Sequence, residues 1–237
     1  MGLSMSIELR VARMQKDQVA PVTEILARAL RTQLSAVIDI SNAQRETEYI
    51  GRLREMVEYG FEWGVPYVAC NERIVGVALW MPPHTNRMAP EEELELSSCN
   101  LPEMFRATDF GRFGPVADKL AYLHEQDMNE AHWYLPLMAI EPSCQSMGVG
   151  HQLVAPVLNI AAQEGVPCYV EVLDPRTNSF FKSLGFDVLA SGAEPVSGLH
   201  YWTFRRLPNA TGTHVSRRST MLPWKPKGGG FLARRSY

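Results

Sequence analysis

Ile7, Leu9 and Val11 alternate with Glu8, Arg10 and Ala12, which predicts a strand over Ser6–Arg13. From Asp17 the period changes. Val19, Val22, Ile25, Leu26, Ala29 and Leu30 recur at helical spacing, with Asp17 placed to cap the start. Glu46–Tyr59 repeats the pattern with Ile50, Leu53, Met56 and Val57 on one face. Two β-rich runs follow, Val65–Cys70 and Ile74–Met81, joined by a turn at Asn71-Glu72-Arg73. Pro82-Pro83 ends the second run, because proline cannot donate to a sheet ladder. Pro90–Leu123 reads as a helical insertion interrupted at Gly111 and at Gly114-Pro115, with a solvated acidic cluster at Glu91, Glu92, Glu93 and Glu95.

The second half alternates more regularly. Trp133–Ile140 is an apolar strand closed by Glu141-Pro142. Gly148–Gln163 is a helix with Val149, Leu153, Val157 and Ile160 on one face, stopped by Gly165. Pro156 inside it removes the hydrogen bond to the Gln152 carbonyl and predicts a kink. A strand at Val166–Leu173, a short helix at Asn178–Leu184 ended by Gly185, and strands at Phe186–Leu189 and Leu199–Arg205 complete the order. That order predicts one α/β domain over residues 6–207, followed by a basic, Gly-rich tail at 208–237 outside the fold.

Charge narrows the ligand. Eight of the 23 Lys and Arg lie from Arg205 onward, where there is no acid, so the first 204 residues hold 15 bases against all 26 acids. An acidic body argues against nucleic acid as the main ligand and favours a small cationic partner. Cys70, Cys99, Cys144 and Cys168 are widely spaced with no CxxC pair, which predicts free thiols and no metal site. No apolar stretch is long enough to span a bilayer, and no signal sequence opens the chain. The expectation is a cytoplasmic protein without stable membrane association. Met1-Gly2 with Ser6 fits a myristoylation pattern, but no polybasic patch accompanies it. Asn209-Ala210-Thr211 is a sequon that stays idle without secretion.

The candidate chemistry sits at Gln145-Ser146-Met147-Gly148-Val149-Gly150-His151, a glycine-bearing turn between a strand and a helix. Backbone N–H groups converge at such a turn and the helix N-terminus adds partial positive charge, which suits a phosphate anion. Without a third glycine or a Gly-Lys-Ser/Thr it is neither a dinucleotide turn nor a nucleotide P-loop. His151 reads either as a phosphate contact or as an ordinary polar residue of a first helical turn.

The pattern Gln-x-x-Gly-x-Gly after an apolar strand resembles the acetyl-CoA pyrophosphate loop of the GNAT acetyltransferase superfamily. Phe180-Phe181-Lys182-Ser183-Leu184-Gly185-Phe186 resembles that family's closing segment, and the helix and Tyr169-Val170-Glu171-Val172 strand between the two fit its spacing. His132-Trp133-Tyr134-Leu135, Leu153–Leu158 and Gly165-Val166-Pro167 resemble the branch containing puromycin N-acetyltransferase.

The resemblance implies a single GNAT-like domain with a mixed, mostly antiparallel central sheet flanked by helices. It implies that the backbone of Met138, Ala139 and Ile140 pairs with the pantetheine arm of acetyl-CoA. Gln145, Ser146, Met147, Gly148, Val149, Gly150 and His151 would hold the pyrophosphate, with glycine at 148 and 150 for close approach. Asn178 and Phe181 would also touch the coenzyme. Glu171 lies where several members carry a carboxylate base; read from the strand alone, it is equally a polar-face residue between the core positions Val170 and Val172. Phe181 stands where the family's general acid is tyrosine and cannot donate a proton, which leaves Tyr134 or Tyr201 as substitutes.

The function implied is transfer of acetyl from acetyl-CoA to the amine of a small molecule, by direct attack in a ternary complex and without a metal. The alternatives are a protein or peptide N-acetyltransferase and a non-catalytic coenzyme A sensor. Acceptor choice would fall to the segments Ser35–Gln44 and Pro82–Phe113.

Overall fold

Seven strands lie in one sheet, in the order β1-β2-β3-β4-β5-β7-β6. The computed structural model describes residues 9–34, 42–83 and 113–209. In chain order the elements are β1 (Arg10–Arg13), α1 (Val19–Leu34), α2 (Ala43–Trp63), β2 (Val65–Cys70), β3 (Ile74–Met81), α3 (Phe113–Asp127), β4 (Trp133–Ile140), α4 (Val149–Glu164), β5 (Cys168–Val172), α5 (Asn178–Ser183), β6 (Asp187–Ala193) and β7 (His200–Arg206). Every pairing is antiparallel except β4 with β5.

The apolar stripes read from the sequence bury, except that Ile50 is exposed and Tyr49 joins the core in its place. Val22, Ile25 and Leu26 of α1, Leu53, Met56 and Val57 of α2, and Val116, Ala117 and Leu120 of α3 cover one face of the sheet. Val149, Leu153, Val154 and Val157 of α4, with Phe181, Leu184 and Phe186, cover the other. The hydrophobic effect thus places three helices on one side and two on the other. Gly60 lets α2 lie close to the sheet, for a Cβ there would come within 2.0 Å of Leu79 Cδ1.

The local punctuation differs from the sequence expectation at several points. Asp17 does not cap α1: a 3₁₀ turn at Lys16–Gln18 precedes the helix, and the Gln15 N–H donates to Gln18 Oε1 at 2.8 Å. The start of α2 is Asn42, whose Oδ1 accepts from the Arg45 N–H at 3.0 Å. Gly114-Pro115 does not interrupt the insertion but lies in the first turn of α3, where proline's missing N–H costs nothing. α3 then runs to Asp127, four residues beyond the expected end. α4 is continuous through Pro156, and Gly165 caps it in the left-handed region at φ 70°. Trp63 is exposed, whereas Trp80 and Trp133 are core residues. Cys70, Cys144 and Cys168 are free thiols, and burial pushes the Cys168 thiol up to about 12.

Residues 6–8, Gly111, Cys99, the Glu91–Glu95 cluster and the tail from 210 onward lie outside the described residues, as do most of Ser35–Gln44 and Pro82–Phe113. Among the described residues no helix is long and apolar enough to cross a membrane, and no three His, Cys, Asp or Glu side chains gather as a metal site.

Candidate active site

The parallel pair β4 and β5 is joined for only part of its length. Trp133↔Cys168, Tyr134↔Tyr169 and Leu135↔Val170 are paired, yet β4 continues to Ile140 and β5 to Val172. Beyond Leu135 and Val170 the two strands no longer pair, and the edges left unpaired bound the candidate cleft.

The other edge of β4 explains which groups face that cleft. Leu79↔Leu137 and Met81↔Tyr134 enclose one residue of β3, Trp80, and two of β4, Leu135 and Pro136. The extra residue is a β-bulge, and it reverses the alternation of the strand. Trp133 and Leu135 pack on the α4 side, whereas Leu137 and Ala139 pack on the α1–α2 side. Past the bulge the Glu141 N–H donates to the Val75 carbonyl at 2.8 Å. Odd positions therefore bond to β3, and Met138 and Ile140 turn their backbone groups toward the cleft. Pro136 has no N–H, so Met138 supplies the first cleft-facing donor. The Ile140 carbonyl is already used, accepting from Gln145 Nε2 at 3.2 Å.

Glu171 follows Val170, the last residue of β5 that pairs with β4, and itself pairs with Thr203 of β7. Val170 and Val172 point into the α4-side core, as the strand pattern predicts. Glu171 points the other way, but its side chain is only 8% exposed, so it is not a solvated polar face. Its Oε2 accepts from the Tyr134 hydroxyl at 2.8 Å. Its Oε1 is buried with no hydrogen-bond partner among the described residues, and His124 Nδ1 lies 3.8 Å away. Burial pushes the carboxyl up to about 7; the Tyr134 hydrogen bond pulls it down and the charge of Asp127 raises it. The Tyr134 phenol is itself raised well above its ordinary value, first by burial and then by Glu171. It stays protonated and orients the carboxylate.

The surrounding groups come from distant parts of the chain. Asp127, the last residue of α3, accepts from the Tyr169 hydroxyl at 3.2 Å and from Thr203 Oγ1 of β7 at 2.7 Å. His124 on α3 stacks on the Tyr169 ring at 4.4 Å. The sequence reading missed His124 and Asp127, because neither belongs to a motif. It did not use Pro136, although a proline inside a central strand is a signal for a bulge. Glu141, at the other end of β4, accepts from Arg28 of α1 through Nη2 at 2.8 Å and Nε at 3.2 Å.

Gln145, Ser146, Met147 and Gly148 form an exposed turn leading into α4. Ser146 at φ 62° and Gly148 at φ 79° both lie in the left-handed region. A Cβ on Gly148 would meet nothing within 4 Å, so the outer side of the turn is open. Gly150 differs from Gly148. A Cβ there would come within 2.9 Å of Met138 Cε and 3.0 Å of Phe180, so its close approach is to protein. Val149 and Gly150 are buried at the start of α4. His151 Nε2 lies 3.1 Å from Ser183 Oγ and its ring meets Phe180 edge-on, which ties α4 to α5. Asn178 Oδ1 is buried with no hydrogen-bond partner among the described residues. Phe181 is a core side chain against Phe186 and Phe204, and Tyr201 is buried on the opposite face, away from the α4 side.

These features have defined chemistry. A strand edge with free backbone groups pairs with amides. A left-handed turn opening a helix favours an anion. A carboxyl titrating near neutrality takes up a proton.

The Acetyltransferase (GNAT) family profile matches residues 37–186, more than half of the chain. An uncharacterized N-acetyltransferase of the fission yeast Schizosaccharomyces pombe is 28% identical over 117 residues, and the chain spans only about half of that curated relative, 47% of each being covered. The Corynebacterium glutamicum histone acetyltransferase HPA2 and related acetyltransferase has the same fold at 22% identity and a TM-score of 0.55, over 87% of this chain and 99% of its own. The Drosophila melanogaster polyamine N-acetyltransferase aligns at 14% identity and a TM-score of 0.56, over 84% and 100%. Arylalkylamine N-acetyltransferase 2 of Aedes aegypti aligns at 14% identity and 0.56, over 85% and 100%. The aligned structures share the fold at sequence identities of 22% and below, and the profile match over more than half of the chain places it in the GNAT acetyltransferase family.

Proposed function

We propose that this protein transfers acetyl from acetyl-CoA to the amine of a small molecule, with Glu171 as the base. The observation that carries the reading is a buried carboxyl at the opening between β4 and β5, pushed up to about 7 and oriented by Tyr134. Acetyl-CoA brings an activated acetyl group as a thioester, and its parts match the groups available. The backbone of Met138 and Ile140 suits pantetheine amides, and the Gln145–Gly148 turn suits the pyrophosphate. Asn178 Oδ1, without a hydrogen-bond partner among the described residues, would suit a ligand N–H. The Met138 N–H is the donor available to an oxyanion.

In the transfer, the neutral amine nitrogen bonds to the acetyl carbon, the C–S bond breaks, and the amine proton passes to Glu171. The leaving thiol has a pKa of about 8.5, so it departs with little help, and the absence of a phenol at Phe181 is tolerable. Small amines are the favoured acceptors because the body is acidic and because two aligned structures are named for polyamine and arylalkylamine acetylation. The puromycin-like text at His132–Leu135 adds aminonucleosides to the panel.

Thermal unfolding with and without acetyl-CoA tests the donor. At 100 times its Kd the ligand should add about 2.7 kcal/mol, and Gly148→Asp should erase the shift by setting a negative charge at the turn. Glu171→Gln should keep the shift and lower kcat/KM about 100-fold, with release of free thiol as the readout. Coenzyme binding with no turnover of any amine would favour the sensor reading, which the buried Phe181 supports.

A further inference from the structure

The base assignment leaves a question the neighbouring side chains answer. Glu171 is buried, so a proton it takes up must leave through protein before the next turnover. One carboxylate oxygen, Oε2, accepts from Tyr134. The other, Oε1, faces His124 Nδ1 at 3.8 Å. On the far side of that ring, His124 Nε2 lies 2.7 Å from His132 Nε2. His132 Nδ1 in turn lies 2.7 Å from the Glu130 carbonyl oxygen, and Glu130 is exposed. The line Glu171–His124–His132 therefore runs from a buried carboxyl to the protein surface.

Partner chemistry assigns the hydrogens. A carbonyl oxygen only accepts, so His132 Nδ1 carries its hydrogen. Neutral His132 then presents a bare Nε2, which must accept from His124 Nε2–H. Neutral His124 is left with a bare Nδ1 on the side of Glu171 Oε1. With both rings neutral, each group is in the state needed to pass a proton outward. The His124 ring is fixed between Tyr134, 4.4 Å away, and Tyr169, stacked at 4.4 Å. Among the described residues, the titratable groups around it include Tyr134 from β4, Tyr169 and Glu171 from β5, His132 from the α3–β4 connection, and Asp127 from its own helix. Asp127 is held by Tyr169 and by Thr203 of β7.

We propose that His124 and His132 relay the proton from Glu171 to solvent, an inference that rests on Glu171 being the base. The Glu171 Oε1 proton passes to His124 Nδ1, across a small closure of the 3.8 Å gap or through one water. The His124 Nε2 hydrogen passes to His132 Nε2. The His132 imidazolium then gives its Nδ1 hydrogen to water. One proton enters at the carboxyl and one leaves at the surface. The tautomers reset once product has left: His132 Nδ1 regains a hydrogen from water, the His132 Nε2 hydrogen returns to His124 Nε2, and the His124 Nδ1 hydrogen passes to water in the emptied site.

The experiment uses the full chain and the best amine acceptor found by screening. His132→Ala should lower kcat about tenfold or more while leaving the acetyl-CoA thermal shift intact, the low end of what a positioned proton-transfer group contributes. Added imidazole should restore the rate in proportion to its concentration. His132→Gln keeps a donor for the Glu130 carbonyl and an acceptor for His124 but carries no proton, so it should be as slow as His132→Ala. A Gln variant at the wild-type rate would mean that the pair is structural and would overturn the relay. A second readout needs no turnover. Nitrogen NMR of the histidine rings in the ligand-free protein should report Nδ1–H on His132 and Nε2–H on His124, and Glu171→Gln should move the titration of His124; the opposite tautomers would also overturn the relay. If Glu171→Gln is slow while His132→Ala is fast, the base stands and the relay falls. If Glu171→Gln is as fast as wild type, the base reading itself falls.

Discussion

Glu171 carries opposite demands at the scale of one residue. In the proposed reaction burial suits it to act as a base near neutrality, and it costs the fold stability once the carboxyl ionises. Its carboxyl ordinarily titrates at 4.5 and here at about 7. Between those values the folded chain holds a proton the unfolded chain has lost, so stability falls as pH rises through the window and stays low above it. At 1.36 kcal/mol per pH unit the cost is about 3 kcal/mol above pH 7. Glutamine keeps the shape, still accepts from Tyr134 and never ionises. Glu171→Gln should match wild type in thermal stability at pH 4.5 and exceed it at pH 8, while being nearly inactive. A variant less stable than wild type at pH 8 would show that the carboxylate is better compensated than its burial indicates.

At the scale of elements, α2 and β3 meet where a side chain is missing. Leu79 Cδ1 and Cγ fill the space beside Gly60, at 2.0 and 2.4 Å from where a Cβ would stand. Alanine in a helix interior usually gains about 1 kcal/mol over glycine. Here the gain is outweighed by overpacking, so Gly60→Ala should lower stability by about 1–3 kcal/mol in denaturant unfolding. Adding Leu79→Val should cost less in the Gly60→Ala background than in wild type, which a double-mutant cycle measures.

The same scale separates what the sequence discloses from what it hides. Gly165 and the Asn71–Arg73 turn are local chemistry, and they stand where the sequence reading puts them. The reversal within β4 is not local, because it depends on the count of residues in β3 opposite it. The setting of Glu171 is equally remote. Tyr134 is 37 positions away, and His124 belongs to a helix the sequence reading ended one residue before it.

For the whole molecule the net charge becomes a kinetic statement. The first 204 residues carry 11 more acids than bases. A cationic amine approaching such a body is drawn in at low salt, and the attraction fades as the screening length falls to about 8 Å at 0.15 M. The proposed reaction should therefore show kcat/KM for a diamine falling with ionic strength more steeply than for a neutral hydroxylated amine of similar pKa, with kcat little changed. Parallel salt dependences for the two acceptors would remove electrostatic steering from the account.

The bulge at Leu135 and Pro136 makes β4 sensitive to number more than to identity. Its cleft edge presents main-chain atoms at Met138 and Ile140, so in the proposed role those side chains are free to vary as long as they fill the space toward α4. Removing one residue there would be different. It would restore simple alternation with Leu137 still opposite Leu79, straighten the strand where the bulge bends it, and let β4 continue its pairing with β5 in place of the opening. A lineage carrying this strand is expected to drift widely in spelling and hardly at all in length.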